Sequence, residues 1–288
     1  MPITPSPLRY PGGKSQLYPV VRDILRANDM VGATYVEPFA GGCGLALKLL
    51  FKGDVGRIVL NDFDVAIYAF WFSILNHTDG FCSMLADVPV TVDEWEKQKE
   101  IYKAHDITEI LNLGFATFFL NRTNVSGVIK GGLIGGKKQN GNFKLDVRFV
   151  KGGLLQRIEK IAKHKEHISL YNLDAVEFID SKLPKLKNSF VNFDPPYVKK
   201  GSSLYKDAYS ENEHRELSHK IASCNMPWIV TYDICPLVKE LYGAFKGTTL
   251  GINYSIGDIR NAKEYIYFSR SLKIPAVFFD EQSHLCAK

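Results

Sequence analysis

The chain has 288 residues, enough to bury a sizeable core in one or two domains. Apolar residues make up 45% and charged residues 23%, with a net charge of +5 and a pI near 8.8; this balance excludes disordered and fibrous classes and is compatible with a nucleic-acid partner without demanding one. No apolar run approaches the ~20 residues that cross a bilayer, no basic-then-apolar leader opens the chain, and its five cysteines are scattered without C-x-x-C; a cytoplasmic, reduced protein is expected, with no membrane and no metal site.

The first specific stretch is "RYPGGKSQL", Arg9 to Leu17. Two glycines before Lys-Ser look like the end of a phosphate loop. Counting back from Lys14, however, the first glycine of that loop falls on Leu8, and the proline-rich "MPITPSP" cannot supply the strand before it. The next residues, "LYPVVRDILRA", have helical spacing at Leu17, Val20, Val21, Ile24 and Leu25. "TYVEPFAGGCGLALKLL" then reads as a strand, a glycine turn and a helix from about Gly44. "GRIVLNDFD" is a second strand ending in acids, followed by the apolar helix "VAIYAFWFSILN". This alternation is the opening half of a doubly wound α/β sheet.

The pattern changes between about His77 and Lys160. "TVDEWEKQKEIYKAH" and "ITEILNLGFATFFLNR" look helical, and a glycine- and lysine-rich segment, "SGVIKGGLIGGKKQNGNFKLDVRF", follows them. β-type residues then return in "HISLYNLDAVEFI", "SFVNFDPPY", "MPWIVTYD" and "EYIYFSR", all candidate strands. The simplest organisation is one α/β domain, residues 1–76 and 160–288, interrupted by an inserted, mainly helical domain at 77–159 that carries a hairpin.

Three places could carry chemistry. The turn "EPFAGGCG" lets backbone approach a ligand at the end of the first strand, although a tight turn alone would use the same glycines. Asp62 ends the next strand, about 20 residues past the glycines, where an acid commonly takes ribose hydroxyls and equally often caps a helix. The third is "NFDPPY", Asn192 to Tyr197. Val191 and Phe193 end a buried-looking strand, and two prolines then deny the chain further sheet donors. The Asp194 carboxylate, the Pro195 carbonyl and the Tyr197 ring are thereby presented in one rigid corner: two acceptors for an amino group and a flat face for an aromatic base.

"RYPGGK", "VEPFAGG", "NDFD", "FFLNRTNVSG" with its trailing "GNFKLDVRF", and "DPPY" stand in the order of the Dam-type (D12 class) adenine-N6 DNA methyltransferases, which the chain resembles from about Leu8 to about Tyr267. The resemblance implies a Rossmann-like sheet that binds S-adenosyl-L-methionine (AdoMet), with a target-recognition domain inserted before D-P-P-Y. It also implies site-specific methyl transfer to adenine N6 in duplex DNA, with the base flipped out and the methyl passed directly in line. Asp194, Pro195 and Tyr197 would form the catalytic corner. The cofactor site would draw on Tyr10, Lys14, Glu37, Phe39, Gly41, Asp62, Phe63, Asp174 and Asp194. Of these, Tyr10 would be a wall, Lys14 a polar contact near the corner, and the backbone from Phe39 to Gly42 a cradle for the methionine portion. Asp62 would take the ribose, Phe63 the adenine face and Asp174 its amino edge. Cys43 stands where a smaller residue is common.

A glutamine or small-molecule methyltransferase would typically show Asn in place of Asp194 and lacks this insertion. Cytosine-N4 transfer needs a similar acceptor geometry, and a non-catalytic DNA-binding protein could keep the same fold. A cytosine-C5 enzyme would need Pro-Cys where this chain has only the reversed Cys235-Pro236. DNA contact is expected from the insertion, where six basic residues between Lys130 and Lys151 face one acid, Asp146. Lys137, Lys138, Lys144 and Arg148 would meet DNA there, and Lys199 and Lys200 would hold phosphates beside the flipped base. Arg122 and Asn124 follow an apolar helical run and have the fork and amide geometries that read guanine and adenine edges; if Arg122 does not read a base, it would only brace the insertion through a buried ion pair. A cognate restriction endonuclease is an expected partner, and the enzyme is expected to be a monomer or weak dimer.

Overall fold

The structure is a computed structural model that describes residues 4–9, 14–198, 209–254 and 260–276. Its seven strands form one sheet: β1 (Thr34–Glu37), β2 (Arg57–Asn61), β3 (Ile168–Tyr171), β4 (Ser189–Phe193), β5 (Trp228–Asp233), β6 (Lys246–Tyr254) and β7 (Arg260–Phe268), in the order β3-β2-β1-β4-β5-β7-β6. β1 pairs in parallel with β2 and β4, and β4 with β5; β7 is antiparallel to both β5 and β6. Every residue of β4 and β5 is buried, which is why "SFVNF" and "WIVTYD" read as near-continuous apolar runs. Among the described residues, no helix is long and apolar enough to cross a membrane.

Contacts divide the chain into two compact units. The first comprises residues 1–13, 41–44 and 62–172. Its helices are α3 (Val65–Asn76), α4 (Thr78–Asp87), α5 (Val92–Ala104), α6 (Ile110–Thr123) and α7 (Lys151–Ala162). The Asp64 side chain caps α3 by accepting the Ala66 N–H, and Thr91 caps α5 through Glu94 N–H. α6 is buried on all sides from Leu113 to Thr123 and packs on α3. Gly114 makes that approach possible, since a Cβ there would meet the Ala69 carbonyl oxygen at 2.5 Å. Phe70, Phe81, Phe115, Phe118, Phe119 and Phe149 form the aromatic centre of this unit.

After α6 the expected hairpin takes the form of a single antiparallel bridge, Asn124 to Leu133. It is flanked by hydrogen bonds from Val125 N–H to the Gly132 carbonyl and from Ile134 N–H to the Thr123 carbonyl. Beyond it, Gly135 and Gly136 take left-handed backbone, and the chain runs through turns and bends to a short 3₁₀ helix, Leu145–Arg148. This segment is too rich in glycine and lysine to extend a ladder.

The second unit comprises residues 14–40, 45–61 and 173–288. In it, α1 (Tyr18–Ala27) buries Val20, Val21, Ile24 and Leu25, the stripe expected from the sequence. It also holds α2 (Gly44–Lys52), apart from its first residue, with α8 (Ala175–Ser181), α9 (Glu211–Ala222) and α10 (Pro236–Tyr242). "HISLYNLDAVEFI" is not one strand. Asp174 accepts the backbone N–H groups of Val176 and Glu177 and so starts helix α8, where the alternating apolar residues suggest a strand. The helix α9 opens with a complete capping box, Ser210 and Glu213.

Candidate active site

In the second unit, β4 carries the chain to "DPPY" and stops there, because two prolines have no N–H to offer a neighbouring strand. Asp194 emerges with its carboxylate partly exposed, and Pro195 and Tyr197 are buried. One carboxylate oxygen, Oδ1, is engaged twice: the Lys14 ammonium lies 2.9 Å away, and the Thr231 hydroxyl from β5 donates to it at 2.8 Å. Lys14 also donates to the Tyr197 hydroxyl at 2.6 Å and lies 3.4 Å from Glu264 on β7. It is 6% exposed, so its charge is held by these groups and not by solvent. Asp233, at the end of β5, accepts the Val198 N–H and ties down the residue that leaves the corner.

The lysine of the opening "GGK" therefore meets the "DPPY" carboxylate, 180 residues along the chain. Thr231, Asp233 and Glu264 belong to the same corner and carry no sequence signal. Only the topology, which sets β5 beside β4 and β7 beside β5, brings them there. Burial and the neighbouring Asp194 charge raise the Glu264 carboxyl, and Lys14 opposes them.

Glu37 ends β1 in this unit and is 5% exposed. The Tyr35 hydroxyl donates to it at 3.1 Å. Burial nevertheless pushes its carboxyl up to about 8, with the Asp194 charge adding to the rise. A carboxyl raised in the folded state binds a proton that the unfolded chain has released. Its contribution to stability is complete below about pH 4 and is lost as pH rises through about 8. Glu37→Gln is therefore expected to flatten the fall in stability between pH 5 and 8.5 by an amount on the order of 2–4 kcal/mol, read from denaturant midpoints at several pH values. Parallel pH profiles for the two proteins would reject a protonated Glu37.

Phe39, also in the second unit, meets Tyr209 edge-on at 6.3 Å between ring centroids. Asn61 stitches the strand ends together: it donates to the Pro38 and Leu173 carbonyls and accepts the Leu173 N–H. Asp174 uses one oxygen to cap α8.

The glycine turn, residues 41–44, belongs to the first unit, where Gly41 and Cys43 both have positive φ, 47° and 49°. The left-handed backbone is natural for glycine and uncommon for cysteine. Gly41 donates its N–H to Asp62 Oδ2 at 2.7 Å, and its carbonyl accepts the Trp71 indole N–H at 2.8 Å. Asp62 Oδ1 takes the Asp64 N–H, so backbone donors fix the carboxylate's orientation. Burial pushes this carboxyl up to about 7, and Asp64 adds to the rise. Beside it Phe63 is 56% exposed, a large apolar ring with little cover. An oriented carboxylate next to an uncovered aromatic face suits a nucleoside, whose ribose donates and whose base stacks.

Of the basic residues between Lys130 and Lys151, Lys130, Lys137, Lys138 and Lys144 are exposed, and Lys137 pairs with Glu96 at 2.8 Å. Arg148 is half-buried. Arg122 and Asn124 differ from the picture of base readers. Arg122 donates through Nε and Nη2 to the Arg148 carbonyl and through Nη1 to the Pro7 carbonyl. Asn124 is fully buried, accepting the Trp95 indole N–H and donating to the Val128 and Ile129 carbonyls. Their polar atoms are turned to groups within the protein, which makes them braces; Arg122 does so through carbonyls, and among the described residues it has no ion pair. Tyr10, Lys199 and Lys200 lie outside the described residues.

The strand order, with its single reversed β7 and its acidic strand ends, defines a Rossmann-like methyltransferase fold. The D12 class N6 adenine-specific DNA methyltransferase family matches residues 10–256. The chain belongs to that family and is an adenine-specific DNA methyltransferase, with DNA as its substrate and AdoMet as the methyl donor general to such enzymes. It is 25% identical to the Type II methyltransferase M.MjaIII of Methanocaldococcus jannaschii over 210 residues, 66% of this chain and 68% of that one. A candidate RNA methyltransferase, PH1948 from Pyrococcus horikoshii, aligns with 88% of this chain and 79% of its own at a TM-score of 0.42 and 12% identity.

Proposed function

We propose that this methyltransferase acts on an adenine flipped out of duplex DNA, with the Asp194 carboxylate and the Pro195 carbonyl accepting the two N6 hydrogens. The observation that carries this reading is the division of the Asp194 carboxylate. Lys14 and Thr231 hold Oδ1, so Oδ2 is the oxygen left to face an incoming amino group. An adenine amino nitrogen is a poor nucleophile because its lone pair is delocalised into the ring. Two fixed acceptors draw that pair out of conjugation, and orientation supplies the remaining advantage. Flipping costs a few kcal/mol, which contacts in the corner offset. Tyr197 is buried under Lys14, so in this reading its hydroxyl and ring position the lysine as well as bounding the base.

For the methyl donor, Asp62 and Phe63 fit the ribose and the adenine, Asp174 the amino edge, and Glu37, Phe39 and Gly41 with Lys14 the amino-acid portion. AdoMet, when bound, supplies an electrophilic methyl on a sulfonium. Residues 77–159 act as the target-recognition insertion between the two parts of the cofactor domain, 1–76 and 160–288. Lys137, Lys138, Lys144 and Arg148 are its phosphate contacts, with Lys199 and Lys200 near the flipped base. The Type II relative supports a place beside a restriction endonuclease, and the enzyme works as a monomer or weak dimer.

The test is transfer of a labelled methyl group to duplex DNA followed by base analysis. N6-methyladenine is the expected product; N4-methylcytosine, or no product, would reject the reading. Asp62→Ala is expected to weaken AdoMet binding by about 2 kcal/mol through loss of a charge-assisted hydrogen bond. Wild-type affinity should rise as pH passes through about 7, where Asp62 ionises, and the mutant should lack that rise. Calorimetry showing equal affinity and equal pH profiles would remove Asp62 from the site.

A further inference from the structure

The first unit gathers four arginines that lie far apart in sequence: Arg9, Arg122, Arg148 and Arg157. Backbone carbonyls hold three of the guanidiniums around one short stretch of chain. Arg157 donates to the Ser6 carbonyl at 3.2 Å, Arg122 to the next carbonyl, Pro7, and to that of Arg148, and Arg9 to the Asn124 carbonyl at 3.0 Å. The anchors of Arg157 and Arg122, the Ser6 and Pro7 carbonyls, are consecutive in the chain. Among the described residues, Arg9, Arg122 and Arg157 have no carboxylate within 4.0 Å. The mutual repulsion is felt at Arg122, whose guanidinium is pulled down to about 9 by burial first and then by Arg9, Arg157 and Arg148, and Arg9 is lowered by burial and by Arg148.

A carbonyl satisfies a guanidinium's hydrogens but not its charge. Arg9, Arg122 and Arg157, held by carbonyls with no acid within 4.0 Å among the described residues, are matched by an anion with several acceptor oxygens. Arg122 is too deep to reach one, and each of its three guanidinium nitrogens already donates to a carbonyl. Arg9 and Arg157 are half-buried, each guanidinium commits one nitrogen of its five-donor fork to a backbone carbonyl, and Arg148 is half-buried beside them.

We propose that Arg9 and Arg157, with Arg148 beside them and Arg122 as the floor, form an oxyanion site that takes a backbone phosphodiester of the DNA substrate. The site rests on the DNA methyltransferase reading and adds to it a phosphate contact outside the lysine-rich loop, made partly by the N-terminal segment and partly by α7. It predicts a sequence-independent contact, since phosphates position the protein and carry no base information.

The decisive variants are Arg157→Gln and Arg157→Lys in the full chain. Duplex binding is measured on cognate and scrambled DNA at several salt concentrations. Arg157→Gln is expected to lower the log–log salt slope by about 1 and to weaken binding at 0.1 M salt by roughly eightfold on both duplexes. The lysine variant, which keeps the charge, should restore the slope. Melting temperature in inorganic phosphate against chloride at equal ionic strength is the second arm, with phosphate protecting wild type more than Arg157→Gln. An unchanged slope with a lower melting temperature in both variants would show a brace only and overturn the proposal. Phosphate protection without any change in DNA binding would overturn the DNA source and leave a free-oxyanion site. Methyl transfer by the wild type is assayed alongside: its absence rejects the enzymatic reading, and the phosphate arm still decides whether the cluster binds an oxyanion.

Discussion

Asp194→Ala is expected to reduce methyl transfer by at least about 10³-fold while leaving AdoMet affinity within about tenfold. The loss is large because the carboxylate acts on the nucleophile itself, and the cofactor's other contacts lie elsewhere. The fold should survive, since Lys14 keeps Glu264 and the Tyr197 hydroxyl as partners when Asp194 is gone. Asp194→Asn makes the test sharper. Lys14 requires an acceptor at the Oδ1 position, so the amide oxygen is drawn there and the amide N–H₂ is left where Oδ2 was. A donor then faces the donors of the adenine amino group. Asparagine should therefore be nearly as inactive as alanine, despite its matching size. Single-turnover rates and calorimetric AdoMet affinity measured on both variants check this. Turnover near the wild-type rate in either one would take Asp194 out of the mechanism.

The parts of this enzyme that can be read from its sequence are those in which chemistry and local backbone coincide. "DPPY" is legible because proline ends a strand by covalent structure, wherever the strand lies. "EPFAGG" is legible because Gly41 needs a left-handed backbone; Cys43 adopts the same conformation without announcing it. The partners of Asp194 follow a different rule. Thr231 sits in "WIVTYD" and Glu264 in "EYIYFSR", where nothing sets them apart from any polar residue on a strand. They become part of the site only because β5 lies beside β4, and β7 beside β5. The departure at "LDAVEFI" has a local cause: a period-2 pattern over a few residues also fits one turn of helix, and the Asp174 cap decides between them. β6 is not legible because "KGTTLGINY" has two glycines and a mixed pattern, and its strand form comes from pairing with β7.

Arg122 shows the same limit in its strongest form, and its replacement carries the second large effect. In sequence it is a cation after an apolar helix, placed to meet a base edge. In the structure it is 9% exposed, and its Nε, Nη1 and Nη2 all donate to carbonyls of Pro7 and Arg148. Arg122→Ala would leave both carbonyls short of a donor and open a cavity along the side chain's stem, each costing about 1–3 kcal/mol. Removing a buried charge that repels Arg9, Arg148 and Arg157 offsets part of this. A net loss of about 2–3 kcal/mol is expected, a fall in melting temperature on the order of 3–5 °C. Arg122→Met keeps most of the volume and should recover the cavity share but not the hydrogen bonds, so its melting temperature should fall between those of the wild type and the alanine variant. Cognate preference over scrambled duplex should stay within about threefold in both variants, because the residue that braces does not read; a base-reading arginine would instead lose about 1–3 kcal/mol on the cognate site alone. Loss of discrimination with an unchanged melting temperature would restore Arg122 to the recognition surface and reject its role as a brace.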